Sequence, residues 1–201
     1  MPSPASPRAS SAVRPSPVRT ALLDAAYDAA VSGDWASTRM ADVARAAGVS
    51  RQTLYNEFGS RDALAQAMAM REVESFIEGT EAALEAAHPD DPIQAVGAAA
   101  LYTLQRAADN PLLKAALIDD TSGLLSFLTT RGEPVLVAAR ESFERYYATH
   151  FPALTDADIA LASETIPRLT ISYLMLPGDA PAEVIATRLA DLARKLLRKG
   201  S

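Results

Sequence analysis

The chain has 201 residues, no cysteine and a formal net charge of −6. The lack of cysteine excludes disulfide frameworks, thiolate metal sites and a cysteine nucleophile. Hydrophobic residues make up 49% of the chain, but no apolar run approaches the roughly 18 residues of a membrane span and no secretory signal is evident. Alanine, leucine, glutamate and arginine dominate, and all four favour helix. We therefore expect a cytoplasmic, all-α protein.

Charge is divided unevenly along the chain. Residues 1–62 contain seven arginines and six acidic residues, whereas residues 63–201 contain twelve basic and nineteen acidic residues. The first part therefore has a net charge of +1 and the second a net charge of −7. This division permits nucleic-acid binding by the N-terminal part despite the overall negative charge, although ordinary proteins also show it.

Residues 1–17 contain five prolines among serine and alanine, a composition typical of a flexible tail. We expect Arg8 and Arg14 to be solvated there, with contact to a DNA groove as the alternative. After this tail, apolar residues at helical spacing predict a first helix, which Gly33 ends. Thr38, Ser50 and Ser60 are suitable N-caps for the next three. The predicted helices span residues 19–32, 39–47, 51–58 and 61–87.

The second and third of these helices form a predicted helix-turn-helix. Gly48 allows the tight turn between them, and Val49 follows as an apolar plug. At about 100° per residue, Leu54 and Phe58 fall on one side of the third helix, where they are expected to be buried. The opposite side is polar and is free to enter a major groove.

That polar side has the side chains that DNA recognition requires. Gln52 and Asn56 lie one turn apart, and amides of this kind bind adenine bidentately. Arg51, at the helix start, is suited to guanine. The hydroxyl groups of Thr53 and Tyr55 flank the amides and are suited to phosphates.

The motifs TRMADVA (residues 38–44), AGVS (47–50), TLY (53–55) and RDAL (61–64), together with Phe58, resemble the tetracycline-repressor (TetR) family. The match extends over about residues 20–65. The resemblance implies a three-helix DNA-binding domain over residues 18–64 and a helical body over residues 65–201. That body would bind a ligand and dimerise. The two domains together would have about nine or ten helices.

The resemblance also implies roles for individual residues. Arg51, Gln52 and Thr53 match base-reading positions, and Thr38 and Tyr55 match phosphate-contacting positions. Arg61 replaces the usual lysine. Glu57 and Asn56 depart from the family pattern, and a carboxylate beside DNA is unfavourable unless it bonds a cytosine amino group or turns away. The candidate DNA-binding residues are Arg19, Thr38, Arg39, Ser50, Arg51, Gln52, Thr53, Tyr55, Asn56 and Arg61.

Six further helices are predicted in the body, over residues 92–108, 111–118, 121–130, 134–150, 156–176 and 181–198. Pro167 is expected to kink or break the fifth of these. The helices over 134–150 and 156–176 are the candidates for a homodimer interface, although their apolar residues also suit plain core. Two recognition helices about 34 Å apart would read a palindromic operator.

Ligand binding is implied mainly by the resemblance, and we expect a hydrophobic small molecule as the effector of a repressor. Its entry would move the fourth helix and end repression by population shift. Arg140 and Arg168 would suit a carboxylate head group, with a surface ion pair as the alternative. The candidate pocket residues are Leu101, Leu104, Asn110, Leu113, Leu117, Phe127, Arg140, Phe143, Tyr147, Arg168 and Ile171.

Two other classes of function compete with a regulator. An enzyme is disfavoured because the chain has no glycine-rich phosphate loop, no Gly-x-Ser-x-Gly elbow and only two histidines, His88 and His150. His88 with Asp90 and Asp91 matches no strong metal motif, so neither cofactor nor metal is expected. The second alternative is a helical interaction module, or a small-molecule binder, whose DNA binding is lost or non-specific.

Overall fold

The computed structural model describes residues 16–33, 35, 37–87, 91–118 and 132–197. The described residues form nine α-helices and no strand, which confirms the all-α prediction. The helix predicted over residues 121–130 lies outside them. The helices are α1 (Pro17–Val31), α2 (Met40–Ala46), α3 (Arg51–Phe58), α4 (Arg61–Ala86), α5 (Pro92–Asp109), α6 (Pro111–Ile118), α7 (Glu133–His150), α8 (Asp156–Met175) and α9 (Ala182–Leu196).

The first three helices and the start of α4 enclose a small N-terminal core. Leu22 of α1, Leu54 of α3 and Leu64 of α4 are fully buried there. Trp35 also packs into this core, as the sequence predicts. Leu112 of α6, which is distant in sequence, is buried in the same core. The N-terminal domain is therefore in direct packing contact with the body.

Serine hydroxyl groups cap three of the first four helices. The Oγ atoms of Ser16, Ser50 and Ser60 each accept a backbone N–H three residues later, at 3.0–3.1 Å. These bonds satisfy donors that the first turn of a helix leaves unpaired.

The predicted cap of α2 is wrong by one residue. Arg39, not Thr38, occupies the N-cap position. The Asp42 carboxylate accepts a hydrogen bond from the Arg39 N–H at 3.2 Å. The acidic residue expected in the first turn of α2 therefore bonds the N-cap residue Arg39. The Thr38 N–H instead donates to the Trp35 carbonyl at 3.2 Å, one turn earlier.

The body packs around two further cores. One lies where α4 and α5 meet α7 and α8, and Leu84, Tyr147 and Ile166 are fully buried in it. The other lies between α5 and α9, around Leu104 and Leu189. No described helix combines the length and the apolar character needed to span a bilayer.

Pro167 lies inside α8, which runs from Asp156 to Met175 as one helix. The break that was one of the two predicted alternatives does not occur. Proline removes one backbone donor from the helix interior, but the ring is buried against the body. Packing therefore holds the helix together across the missing hydrogen bond.

Candidate DNA-binding surface and ligand cavity

The turn between α2 and α3 has the geometry that the sequence predicts. Gly48 adopts φ 68°, in the left-handed region that favours glycine. The Val49 N–H donates to the Ala44 carbonyl at 2.9 Å, and the Val49 side chain packs against the N-terminal core. The turn thereby fixes the direction of α3 relative to α2.

One side of α3 is buried and the other is free. Leu54 and Phe58 face the core, as predicted, whereas Arg51, Gln52 and Asn56 are exposed. Gln52 Nε2 donates to Asn56 Oδ1 at 2.8 Å. This bond holds the two amides side by side, and each amide keeps hydrogen-bonding capacity for a base edge.

The flanking polar residues of α3 are also held in place. The hydroxyl groups of Ser50 and Thr53 are 2.8 Å apart. The Arg51 guanidinium carbon lies 5.4 Å from the centre of the Tyr55 ring, within the range of a cation–π contact. Thr53 and Tyr55 are half-buried, at the flanks of the exposed side of α3.

Glu57, the departure from the family pattern, is turned toward α1. Its carboxylate lies 3.2 Å from Arg19 Nη1, and the Arg19 guanidinium carbon lies 4.5 Å from the centre of the Phe58 ring. The pair neutralises a carboxylate that would otherwise repel phosphate. Arg19, a candidate DNA contact, thus forms an ion pair and a cation–π contact with residues of α3.

Arg61, another candidate phosphate contact, is engaged with the N-terminal core. Its guanidinium donates to the Trp35 carbonyl and lies 4.8 Å from the centre of the indole ring. It therefore connects the start of α4 to the segment between α1 and α2. Thr38 is half-buried in that segment, and Arg39 is exposed at the start of α2.

An apolar cavity of about 100 Å³ lies within the body, between α4 and α8. Most of its wall is aliphatic or aromatic. Among the described residues of the wall, the polar groups are Glu72, Thr80, Thr103, Asn110 and Thr170. The described lining residues are Ala69, Glu72, Val73, Phe76, Ile77, Thr80, Ala99, Ala100, Thr103, Asn110, Leu113, Val135, Ala139, Phe143, Pro167, Thr170, Ile171 and Leu174.

The three threonine hydroxyl groups of the wall are hydrogen-bonded within the protein. Each donates to the carbonyl four residues earlier, at 2.7–2.9 Å. Asn110 Nδ2 donates to the Glu72 carboxylate at 2.5 Å, and Asn110 Oδ1 accepts the Leu113 N–H at 2.8 Å. The described part of the wall thus presents few free donors to a ligand.

The structure places four of the candidate pocket residues at this cavity: Asn110, Leu113, Phe143 and Ile171. It places five elsewhere. Leu101 and Leu104 pack in the core with α9, and Tyr147 is fully buried in the core around Leu84. Helical spacing identifies the apolar sides of a helix but not the neighbour that each side meets.

The two candidate cations also lie away from the cavity. Arg140 and Arg168 are exposed and pair with acids one turn away on their own helices, Glu144 at 3.5 Å and Glu164 at 3.2 Å. The carboxylate-binding role is therefore not supported, and the surface ion pair is the arrangement found. Leu117 (side chain) and Phe127 lie outside the described residues.

Sequence reasoning missed the contribution of α4 to the cavity. Val73, Phe76, Ile77 and Thr80 of α4 all line it. The signal was present in the sequence, because α4 is far longer than a three-helix domain needs. Its apolar residues Val73, Phe76 and Ile77 follow helical spacing.

The family models account for most of the chain. The model described as "Bacterial regulatory proteins, tetR family" matches residues 22–68. The model described as "Bacterial Tetracyclin repressor, C-terminal domain" matches residues 91–195. The chain belongs to the TetR family. Members of this family are transcriptional regulators that bind DNA operators and act as dimers, not enzymes.

Individual relatives agree with the TetR assignment. The "HTH-type transcriptional regulator AlkX" of Mycobacterium tuberculosis is 35% identical over 88% of this chain and 82% of its own length. The crystal structure of the TetR family repressor AlkX from Dietzia sp., implicated in biodegradation of n-alkanes, is 32% identical. The structural alignment covers 92% of this chain and 97% of the Dietzia chain, with a TM-score of 0.72. The fatty acid degradation regulator FadR from Bacillus halodurans shares the fold alone, with 16% identity over 93% of this chain and 98% of that chain and a TM-score of 0.59.

Proposed function

We propose that this TetR-family regulator represses transcription from a palindromic operator and is released by an uncharged, apolar small molecule. The observation that carries the proposal is the position of α6. Leu112 is buried in the N-terminal core, whereas the next residue, Leu113, lines the apolar cavity. One short helix therefore touches both the DNA-binding domain and the ligand site.

The chemistry of the cavity favours an uncharged ligand. Among the described lining residues, Glu72 is the one charged group and no cation is present. Glu72 is itself paired with Arg106 at 3.8 Å, so a carboxylate ligand would find no cation in the described wall to bind, and burying it unpaired in an apolar site is unfavourable. The Dietzia relative, implicated in n-alkane biodegradation, supports a long-chain apolar effector such as an alkane or its alcohol.

The size of the cavity supports a mechanism for release. An apolar cavity of about 150 Å³ holds benzene, and this one measures about 100 Å³. An eight-carbon chain is larger than this volume, so we expect the walls to separate when it enters. Asn110 joins the α6 side of the wall to Glu72 on α4, so separation moves the two helices that reach the DNA-binding domain. DNA affinity falls because the ligand binds the expanded state better.

For the DNA contact, we place Arg51, Gln52 and Asn56 on base edges, because they are the exposed side chains of α3. Thr53 and Tyr55, half-buried at the flanks of that side, suit phosphates. Arg39 is exposed at the start of α2 and suits a phosphate as well. Because the target is chromosomal DNA, we place the protein's action in the cytoplasm.

For the homodimer, we propose that α7 and α8 of two protomers pair. Val137 of α7 and Leu161 and Leu169 of α8 are large apolar residues with at least a third of their surface exposed. Exposed apolar residues grouped on neighbouring helices indicate an interface. A two-fold interface of this kind places the two α3 helices on successive major grooves.

The ligand proposal is tested with an operator selected from random duplex DNA. n-Octane and 1-octanol are titrated into the protein–operator complex, with octanoate as the charged analogue of the same chain length. We expect the first two to lower operator affinity and octanoate to have little effect. Equal action by octanoate would overturn the uncharged-ligand assignment.

A cavity-filling variant checks that the effect arises in this cavity. Ala139→Leu adds bulk to the wall, whereas Ala108→Leu adds the same bulk at an exposed position of α5, away from the cavity wall and from the proposed dimer helices. We expect Ala139→Leu to bind the operator and to lose the response to octanol. Ala108→Leu should keep both properties.

A further inference from the structure

A second cavity, with a volume of about 280 Å³, lies between α4 and α7. It differs from the apolar cavity in character and shares no described lining residue with it. We call it the polar groove. Its lining residues are Glu81, Leu84 and Glu85 from α4 and Ser142, Arg145, Tyr146 and Thr149 from α7.

Two buried hydroxyl groups in the polar groove have no hydrogen-bond partner. Ser142 Oγ and Tyr146 Oη lie one turn apart on α7, and both atoms are unpaired. The residues are 3% and 5% exposed. Buried polar groups in proteins nearly always have partners, and a helical serine commonly bonds the carbonyl four residues earlier. Two unpaired hydroxyls at one cavity therefore indicate an occupant with polar atoms.

The Tyr146 hydroxyl is fixed in this position. Its ring lies 4.7 Å from the His150 ring and 5.7 Å from the Tyr147 ring, centre to centre. Phe151 packs at 5.9 Å. With these rings around it, Tyr146 has no freedom to swing toward a partner elsewhere in the protein.

The charge of the polar groove favours a cation. Two carboxylates, Glu81 and Glu85, line it. Glu81 is paired with Arg145, whereas the neighbour of Glu85 is the His150 imidazole at 3.3 Å. Glu85 therefore has no arginine or lysine partner among the described residues. Burial and, to a lesser degree, the Glu85 charge raise the pKa of Tyr146, so its phenol stays neutral and available for hydrogen bonding.

We propose that the polar groove binds a small primary ammonium compound. Such a group has three N–H donors, and the polar groove offers three acceptors in Ser142 Oγ, Tyr146 Oη and the Glu85 carboxylate. An occupant would join α4 to α7, and α4 is the helix that leads to the DNA-binding domain. This site and its ligand are independent of the apolar effector proposed above.

The test uses the full chain and simple ammonium probes. Ethylammonium and 2-hydroxyethylammonium are titrated by saturation-transfer NMR and calorimetry, at constant ionic strength. Tetramethylammonium is the control probe, because it has the charge but no N–H donor. We expect saturable binding of the first two in the millimolar range, as is typical of such small fragments, and no saturable binding of the third.

Two variants connect that binding to the polar groove. Ser142→Ala with Tyr146→Phe removes both hydroxyls without adding bulk, so the fold is retained and the melting temperature stays the same or rises. We expect ammonium affinity to fall about tenfold or more, as when a charge-assisted hydrogen bond is lost. Glu85→Gln should have a similar effect, and Tyr173→Phe, at a phenol outside the polar groove, should have none.

Three results would overturn the proposal. They are unchanged affinity in the double variant, equal binding of tetramethylammonium, and absence of saturation by either primary ammonium probe. The last result would mean that water alone satisfies the two hydroxyls. None of these results depends on operator binding, so they leave the proposed regulator function untouched.

Discussion

Replacing Leu112 with alanine is expected to weaken the connection between the ligand cavity and the DNA-binding domain. The side chain is 1% exposed and is the contribution of α6 to the N-terminal core. Truncating a leucine at such a site costs about 2–5 kcal/mol of unfolding free energy, because apolar burial is lost and a cavity remains. For a chain of this size, that corresponds to a fall in melting temperature of roughly 5–15 °C.

Leu189→Ala is the matched control for this variant. Leu189 is 2% exposed but lies in the core between α5 and α9, away from the N-terminal domain. Both variants should therefore lose similar stability in calorimetry. Only Leu112→Ala should lose the coupling between the ligand cavity and the DNA-binding surface. In allosteric proteins, the coupling free energy is typically about 1–3 kcal/mol, which corresponds to a change of about 5- to 150-fold in affinity.

The assay is fluorescence anisotropy of a labelled operator, with and without saturating 1-octanol. For the parent protein and Leu189→Ala, octanol should raise the operator Kd by a factor in that range. For Leu112→Ala, the Kd should be higher at the start and should change little with octanol. A full octanol response in Leu112→Ala would show that the signal does not pass through α6. Leu112→Val, which leaves a smaller cavity, should give an intermediate result.

Three further outcomes are expected. Gln52→Ala should reduce discrimination against a mismatched operator by about 1–3 kcal/mol without changing the salt dependence of binding, because phosphate contacts remain; a changed salt slope would contradict the base-reading role. Gly79→Ala should stabilise the fold by less than the roughly 1 kcal/mol by which alanine favours helix over glycine, because the new Cβ would lie 1.8 Å from Tyr102 Oη and the half-buried tyrosine side chain must move away; a gain of the full amount in the melting temperature would refute this reason. Burial, with a smaller contribution from Tyr146, raises the pKa of Tyr147. The free energy of unfolding should therefore keep its full value below the unfolded-state tyrosine pKa of about 10 and fall as the pH rises above it. Ultraviolet titration that showed Tyr147 ionised before unfolding would contradict this.

The helix-turn-helix was predictable from the sequence because its signals are local. Gly48, Val49 and Ser50 specify the turn and the next cap within a few residues. The buried side of α3 follows from helical spacing at Leu54 and Phe58. The one local error, at the cap of α2, arose because Thr38 and Arg39 both precede the helix and Asp42 pairs with the second.

The ligand cavity was less predictable because it depends on which helices meet. α5 has apolar residues on two sides, and Leu104 turns to α9 whereas Ala99 and Thr103 face the cavity. The charged residues raise the same difficulty. Arg19 and Arg61 suit phosphates by type, but contacts with Glu57 and Trp35, distant in sequence, engage them within the protein.

Titration of 1-octanol into the protein–operator complex shows directly whether an apolar ligand of the body releases the operator. Thermal shift first establishes that octanol binds the protein, since a ligand of the folded state raises the melting temperature. Operator affinity should then fall as octanol saturates, and Ala139→Leu should abolish the fall while Ala108→Leu should not. Unchanged operator affinity at saturating octanol would contradict the proposed release.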